Sequence, residues 1–326
     1  MHFIDASPNP KKTVNTAHTP AMLFRLPAKV LALLVASLVL SPVAAFAQTM
    51  WYLNTSQPFG TDWNAKTYWS ANADGTGSNP ASISNQDIFN TNGKTLRTYS
   101  STPTIPNGAF GGSRLDLNSQ LSLKASIINI GNLKTLGGAY ITAQDADGIN
   151  DKTLILNVTT FDATAETRFA ATISNSRSLA VNITTLTGSG DFVFGKLATG
   201  TLAPSALTFQ ATNATNYTGN IYLFGTSSSL TFTQNLISGG GLFLETGSIL
   251  TLNRSLTFTG LSIAGSVLSP GTYTFSQLNT DYDAFFANGG SGSITVLGSI
   301  PEPSTYAMVL AVLAGAFATI RRRKRD

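Results

Sequence analysis

The amino-acid sequence predicts an all-β body, and three observations support this prediction. Short runs of about three to six residues alternate apolar and polar side chains, as half-buried strands do. These runs are rich in Ile, Leu, Val, Phe and Thr, and they are separated by Gly, Asn, Ser or Asp. Residues 48–299 contain no sustained helical stripe of apolar side chains.

The spacing of these runs favours a single-stranded, right-handed parallel β-helix, or β-solenoid, with coils of about 20–25 residues. From Ala206 to Ile263 the strand signals follow one another closely, with short turns that carry Asn or Gly. In such a fold a few apolar side chains of each coil stack on those of the previous coil. A β-sandwich with hairpin connections is the alternative architecture.

Residues 1–47 predict a signal peptide, which forms a helix before its cleavage site. Arg25 and Lys29 form a positive n-region, and the apolar run Val30–Leu40 follows it. The small-x-small cleavage triplet is Ala45–Ala47. Cleavage there leaves Gln48 as the first residue of the exported protein. The segment before Met22 is polar and unlike an n-region, so we expect translation to begin at Met22.

The charge and the residue types of the body exclude several functions. The net charge of the chain is +4, but residues 48–320 carry 11 Lys and Arg against 14 Asp and Glu, so nucleic-acid binding is not expected. Both histidines, His2 and His18, precede the cleavage site, and the chain has no cysteine. His- or Cys-dependent catalysis and His- or Cys-bound metals are therefore excluded from the body. We expect a body that is not an enzyme.

The exported passenger, residues 48–287, begins with a cluster of large aromatic residues. The cluster consists of Trp51, Tyr52, Trp63, Tyr68 and Trp69. One interpretation is a sugar-stacking surface. We favour a hydrophobic cap on the first coil, because the exposed end of stacked repeats needs covering.

An oxygen-rich segment in the middle of the passenger is a candidate calcium site. Carboxylate and amide oxygens are the ligands that Ca²⁺ prefers, and here they occur within seven residues, at Asp145, Asp147, Asn150 and Asp151. The segment lacks the last acidic residue of an EF-hand loop, and a solvated loop is the alternative. No other cofactor is expected.

Two pairs of acidic residues are candidates for glycoside cleavage, which needs two nearby carboxyl groups. They are Asp162 with Glu166, and Asp281 with Asp283, and the acidic cluster that begins at Asp145 is a third candidate. A β-helical carbohydrate-active enzyme is therefore an alternative function, although surface solubility explains these acids more simply.

The chain ends in three segments that together predict a membrane stop. Residues 288–299 form a Gly/Ser tether and a last strand, and residues 300–326 follow them. The final segment begins with a proline-framed motif, Pro301, Glu302, Pro303 and Ser304. A fifteen-residue apolar run, Tyr306–Ile320, follows. The basic end consists of Arg321, Arg322, Arg323, Lys324 and Arg325. The cations keep the end in the cytoplasm, which leaves everything before the apolar helix outside. Fifteen helical residues rise roughly 22 Å, which is short for a permanent transmembrane anchor.

The order and spacing of these parts resemble the PEP-CTERM sorting signal of Gram-negative bacteria that make exopolysaccharide. The resemblance covers residues 301–325 and implies recognition and cleavage by an exosortase of the inner membrane. It implies a protein that is anchored transiently and then reaches the cell surface or the extracellular space. An ordinary tail anchor is the alternative.

Parts of the body resemble the passenger repeats of autotransporter-like and PEP-CTERM surface proteins. The segments that carry this resemblance are Gly188–Gly195, Asn213–Asn220 and Leu268–Thr274. It implies a β-solenoid passenger. We therefore expect an exported structural or adhesive protein, which binds exopolysaccharide of a biofilm matrix or other copies of itself. A calcium-stabilised adhesin is a further alternative.

Overall fold

Parallel pairing dominates the β-strands of the computed structural model, which describes residues 48–58, 62–98, 107–143, 153–171, 178–197, 205–225 and 227–298. The described residues are mostly strand, with one short α-helix and two 3₁₀ turns. The predicted all-β body and its parallel sheets are thus confirmed over this part of the chain.

The strands are numbered in chain order. They are β1 Met50–Leu53, β2 Trp69–Ser70, β3 Ile88–Asn90, β4 Leu96–Arg97, β5 Asn107–Ala109, β6 Arg114–Leu117, β7 Gln120–Leu123, β8 Ile127–Thr135, β9 Ala139–Ala143, β10 Thr153–Ala163, β11 Thr167–Ala171, β12 Ser178–Gly188, β13 Phe192–Phe194, β14 Ala206–Tyr217, β15 Ile221–Leu223, β16 Ser228–Phe232, β17 Leu236–Ile237, β18 Gly241–Leu244, β19 Ser248–Thr251, β20 Ser255–Phe258, β21 Gly260–Ile263, β22 Ser266–Val267, β23 Gly271–Thr274 and β24 Ser293–Val296.

Among the described residues these strands form three sheets. Sheet A has eleven strands in the order β19-β16-β14-β12-β10-β8-β6-β3-β1-β2, and β5 also pairs with β8. Sheet B has nine, in the order β22-β21-β18-β15-β13-β11-β9-β7-β4, and sheet C has four, in the order β17-β20-β24-β23. Antiparallel pairing within the described ranges is confined to β1 with β2, β21 with β22, and β23 with β24.

From β6 to β16 the chain alternates between sheets A and B, so neighbours within a sheet are every second strand along the chain. The register of these pairs places apolar side chains at the same level. One such row in sheet A is Ile128, Leu156, Val181, Phe209 and Phe232, and each member is at most 2% exposed. Burying each side chain contributes roughly 1.5–3 kcal/mol, so stacking of rows like this one stabilises the pairing.

The long strands β8, β10, β12 and β14 share one irregularity. Along β10 inward and outward residues alternate until Val158, and then both Thr159 and Thr160 face outward before Phe161 returns to the core. The same two-residue step follows Ile130 in β8, Ile183 in β12 and Ala211 in β14. Because the step recurs at matching positions, the outward side chains on either side of it also form rows across sheet A.

Aromatic rings fill the middle of the core. The ring of Phe192 lies 5.1 Å from Phe169, 5.2 Å from Phe161 and 5.1 Å from Tyr217, measured between centroids. The Tyr217 hydroxyl is buried and donates a hydrogen bond of 3.0 Å to the Gly190 carbonyl. This contact connects the end of β14 to the segment before β13.

Two of the five aromatic residues at the start of the passenger are internal, whereas Trp51, Tyr52 and Tyr68 are half-buried. Trp63 and Trp69 are at most 1% exposed, and Trp69 Nε1 donates to the Trp63 carbonyl at 3.0 Å. Their rings contact Phe110 and Phe89, with centroids 5.2 and 5.0 Å apart. Both indoles are therefore core residues, in agreement with hydrophobic packing rather than with a sugar-stacking surface.

The last described segment is bonded to the body. Helix α1 (Phe275–Tyr282) is closed at its start by a capping box between Thr274 and Gln277, and a 3₁₀ turn, Asp283–Phe285, follows it. The other 3₁₀ turn of the described residues, Lys66–Tyr68, lies near the start of the body, before β2. In the Gly/Ser-rich segment after α1, Ser291 N and Gly292 N donate to the Leu252 carbonyl at 3.1 and 2.9 Å, and β24 then pairs with β20 and β23.

Candidate functional site

A groove of about 440 Å³ crosses the outer face of sheet A. Strands β8, β10, β12 and β14 form its floor, and Ala109 with Phe110 forms one wall. It lies at the start of the two-residue step of these strands, where the last outward residue before the step and the first residue of the step line it. The groove therefore runs across several strands rather than along one of them.

Carboxamide side chains form the first row of this floor, which we call the amide ladder: Asn129, Asn157, Asn182 and Gln210. Asn182 Nδ2 donates to Asn157 Oδ1 at 2.9 Å, and Asn157 Nδ2 donates to Asn129 Oδ1 at 2.9 Å. Gln210 occupies the next register position beside Asn182, and its Oε1 accepts a bond of 3.0 Å from Thr233 Oγ1. The hydrogen bonds hold the amides in one orientation along the sheet.

The second row of the floor consists of small or hydroxyl-bearing residues: Gly131, Thr159, Thr184 and Thr212. All four are exposed. A Cβ atom placed on Gly131 meets no atom within 4 Å, so the groove is open at this position. The two rows together present amide and hydroxyl groups to solvent.

The wall of the groove is fixed by hydrogen bonds to two neighbouring segments. Phe110 N donates to the Asn129 carbonyl at 2.9 Å, which places the wall against the amide ladder. On the other side, Asn64 Nδ2 donates to the Ala109 carbonyl at 2.9 Å, and Asn64 Oδ1 accepts a bond of 3.0 Å from Gly111 N. This wall is thus hydrogen-bonded to the body on both of its sides.

The described residues that line the groove are all uncharged. A smaller depression of about 250 Å³ on the same face includes Arg114 and Asp162, but its charges are paired. Arg114 Nε lies 2.6 Å from Asp116 Oδ1, and this hydrogen bond raises the pKa of the guanidinium. Lys134 Nζ lies 3.4 Å from Asp162 Oδ2. The described lining of the groove therefore carries no charge, and the charges of the neighbouring depression are paired.

Three aromatic side chains form a separate outward-facing row on sheet B. The ring of Tyr222 stacks on Phe243 with centroids 4.6 Å apart, and on Phe224 at 6.1 Å. Lys196 Nζ lies 4.5 Å from the centre of the Phe224 ring. All three rings are half-buried, and burial raises the pKa of the Tyr222 hydroxyl. These contacts hold the three rings together on the face of sheet B.

The predicted calcium ligands, Asp145, Asp147, Asn150 and Asp151, lie outside the described residues. Within the ranges that the structure describes, no group of three or more His, Cys, Asp or Glu is placed to hold a metal ion. The calcium site stays a prediction.

The acidic pairs proposed for glycoside cleavage have other neighbours. Asp162 is paired with Lys134, whereas Glu166 accepts a bond of 2.6 Å from Arg168 Nε. Asp281 is in helix α1, and Asp283 Oδ1 accepts a bond of 2.8 Å from Ala284 N in the turn that follows. These contacts are those of surface ion pairs and helix ends.

The amide ladder was missed from sequence, although a signal for it exists. Each member is flanked by apolar residues that point inward, and this amide-centred triplet recurs at intervals of 28 and 25 residues from Asn129 to Asn182. Alignment of the strands on that triplet would have placed the amides at one level.

The C-terminal segment matches the family described as the PEP-CTERM protein-sorting motif over residues 299–325. The chain carries a PEP-CTERM sorting motif. The resemblance of Pro301–Ser304 and Arg321–Arg325 to this signal is thereby confirmed. Comparison with curated proteins and with solved structures yields no match for the chain.

The matched tail, with its apolar segment 306–320, lies outside the described residues, as does the predicted signal peptide 1–47. Within the described ranges no helix is both long and apolar enough to cross a membrane.

Proposed function

We propose that this chain is an exported structural or adhesive protein, which an exosortase cleaves at its PEP motif and releases to the cell surface or the extracellular matrix. The observation that carries the proposal is the match of residues 299–325 to the PEP-CTERM sorting motif. That motif indicates an exported protein that is held transiently in the membrane and sorted by an exosortase.

The two ends of the chain define the order of events. The signal peptide, residues 1–47, directs export and is removed before Gln48. The apolar segment, residues 306–320, then holds the chain in the inner membrane, because the five cations after it stay in the cytoplasm. Cleavage within residues 301–304 separates the β-rich body from this anchor.

We further propose that the body is a right-handed parallel β-solenoid. The alternation of strands between sheets A and B and the parallel register of equivalent rows support this architecture. Right-handed crossovers are the rule for parallel strands of one sheet. A β-sandwich with hairpin connections would join successive strands antiparallel, which is the minority pairing among the described strands.

A structural or adhesive role suits the surface of this body better than catalysis. Among the described residues, the groove on sheet A offers hydrogen bonds but no titratable group. Asp162 and Glu166 form ion pairs, and Asp283 accepts a bond from a backbone amide. Exopolysaccharide and further copies of the chain are the partners that we expect.

Mass spectrometry of the cell-bound and released forms tests the sorting step. We expect the released form to begin at Gln48 and to end within residues 301–304. Replacement of Pro301, Glu302 and Pro303 together by Ala should keep the protein in the cell fraction with its basic end intact, whereas the neighbouring change Thr305→Ala should not. A released parent protein that still contains the Arg321–Arg325 peptide would refute cleavage at this motif.

A further inference from the structure

We propose that the groove on sheet A is a binding site for a neutral polysaccharide, which lies across strands β8, β10, β12 and β14 with its hydroxyl groups on the amide ladder. This inference names the ligand class of the adhesive role and so depends on the proposed function.

The amide ladder keeps hydrogen-bonding capacity after its internal bonds are made. A carboxamide has two N–H donors and an oxygen that accepts two bonds. The bond from Asn157 to Asn129 uses one donor of Asn157 and one acceptor position of Asn129, and Asn182 binds Asn157 in the same way. The remaining donors and acceptors are available to a hydroxyl group of a ligand, which can both donate and accept.

The spacing of the ladder suits a repeating ligand. Neighbouring strands lie about 4.8 Å apart, so the four amides extend over roughly 14 Å. The parallel register repeats the same pair of groups, an amide and a hydroxyl or glycine, at every strand. A linear chain of sugar rings repeats its hydroxyl groups on a similar scale. The three Asn side chains of the ladder are ordered by their mutual hydrogen bonds, and Gln210 by its bond with Thr233, which lowers the entropy that binding must remove.

The charge and shape of the groove select a neutral glycan. The described residues that line it are uncharged, and the nearby Arg114 and Lys134 are paired with acids, so nothing there favours an anionic polymer. The open position at Gly131 leaves room beside the ladder, and the exposed methyl group of Ala109 in the wall offers a small apolar contact to the C–H groups of a ring. We therefore expect an acidic polysaccharide not to bind in this groove.

Substitution at Gly131 tests the site without disturbing the ladder. Gly131 does not require a left-handed backbone, and a Cβ atom there meets no atom within 4 Å, so we expect Gly131→Trp and Gly131→Glu to fold normally while their side chains fill the groove. The matched control is Gly137→Glu, because Gly137 is equally unobstructed but lies in the turn after β8.

The measurement is affinity electrophoresis of the full-length chain in mild detergent, through gels that contain dextran, laminarin, hydroxyethylcellulose or, as the acidic control, alginate. We expect at least one neutral polymer to retard the parent protein, and both Gly131 variants to weaken this binding about tenfold or more. Gly137→Glu should bind like the parent. Circular dichroism and thermal unfolding of all four proteins verify that they are folded.

Two results would overturn the proposal: no retardation of the folded parent by any neutral polymer, or equal retardation of the parent and the Gly131 variants. Tail cleavage is followed by mass spectrometry in the same strains and reports the proposed function separately. Cleavage without polysaccharide binding rejects the groove alone, whereas binding without cleavage rejects the sorting step alone.

Discussion

Replacement of Tyr217 by Phe tests how the interior of the body is connected. The Tyr217 hydroxyl is buried, donates to the Gly190 carbonyl at 3.0 Å and lies 3.2 Å from the Asn220 carbonyl. Its loss leaves the Gly190 carbonyl without this donor in the core. Because a buried polar group without its partner is costly, we expect Tyr217→Phe to lower the free energy of unfolding by roughly 1–3 kcal/mol near neutral pH.

The same substitution should change how stability depends on alkaline pH. Burial, with a smaller contribution from the charge of Asp191, raises the pKa of Tyr217 well above its ordinary value. An unfolded tyrosine ionises near pH 10, so above about pH 10 the unfolded chain releases a proton that folded Tyr217 retains. The stability that this hydroxyl contributes is complete below about pH 10, and it falls above that by about 1.4 kcal/mol per pH unit until the folded group ionises.

Urea unfolding of the parent and of Tyr217→Phe, at about pH 8 and about pH 11, measures both effects. Tyr140 and Tyr222 also have raised pKa values, so the parent loses stability through them as well, and only the difference between the two proteins isolates Tyr217. We expect the advantage of the parent to shrink between the two pH values. An advantage that stays constant would refute the assignment of Tyr217 as a group that stays protonated in the core.

Tyr273→Phe is the matched control for the hydrogen bond. The Tyr273 hydroxyl also donates to a backbone carbonyl, that of Ser269, at 2.8 Å, but this tyrosine is only half-buried. Water can replace the lost partner there, so the loss near neutral pH should be smaller than for Tyr217.

Two further substitutions test the core and its turns by urea unfolding. Phe192→Ala removes a ring that is packed against several others, so we expect it to lower the free energy of unfolding by about 3–5 kcal/mol. Phe224 is only half-buried, so Phe224→Ala should lower the free energy of unfolding clearly less. Gly188→Ala should cost more than about 2 kcal/mol, because Gly188 has φ +99° and a new Cβ would lie 2.1 Å from a carbonyl oxygen. Gly137→Ala, which meets no atom, should change stability by less than about 0.5 kcal/mol.

Equal losses for the two Phe variants would contradict the placement of Phe192 at the centre of the aromatic core. A Gly188→Ala variant as stable as the parent would contradict the close approach of β12 to the carbonyl of Ala163.

Much of the fold was predictable because strand signals are local. The alternation of Leu154, Leu156 and Val158 with polar residues follows from the period of a strand and needs no knowledge of the partner strands. The irregular step at Thr159 and Thr160 is not visible in this way, since two adjacent polar residues also end many strands. Its recurrence at the same level in β8, β12 and β14 became apparent only when the strands were paired.

The candidate site depended on contacts between residues that are distant in sequence. Asn129, Asn157 and Asn182 are separated by 28 and 25 residues, and their common level is set by the stacking of their apolar neighbours in the core. The aromatic residues Trp63 and Trp69 were similarly ambiguous, because an indole suits both a core and a sugar-binding surface. Their burial decided between the two.

The sorting tail, the absence of His and Cys chemistry from residues 48–299 and the all-β class could be predicted from sequence, because each depends on residue types in one continuous stretch. The tertiary structure decided the register of the parallel strands, and with it the amide ladder, the pairing of Asp162 with Lys134 and the burial of Tyr217. Register is set by the fit of apolar side chains between strands some 25 residues apart, so it cannot be read from any one strand and emerges only when distant strands are compared.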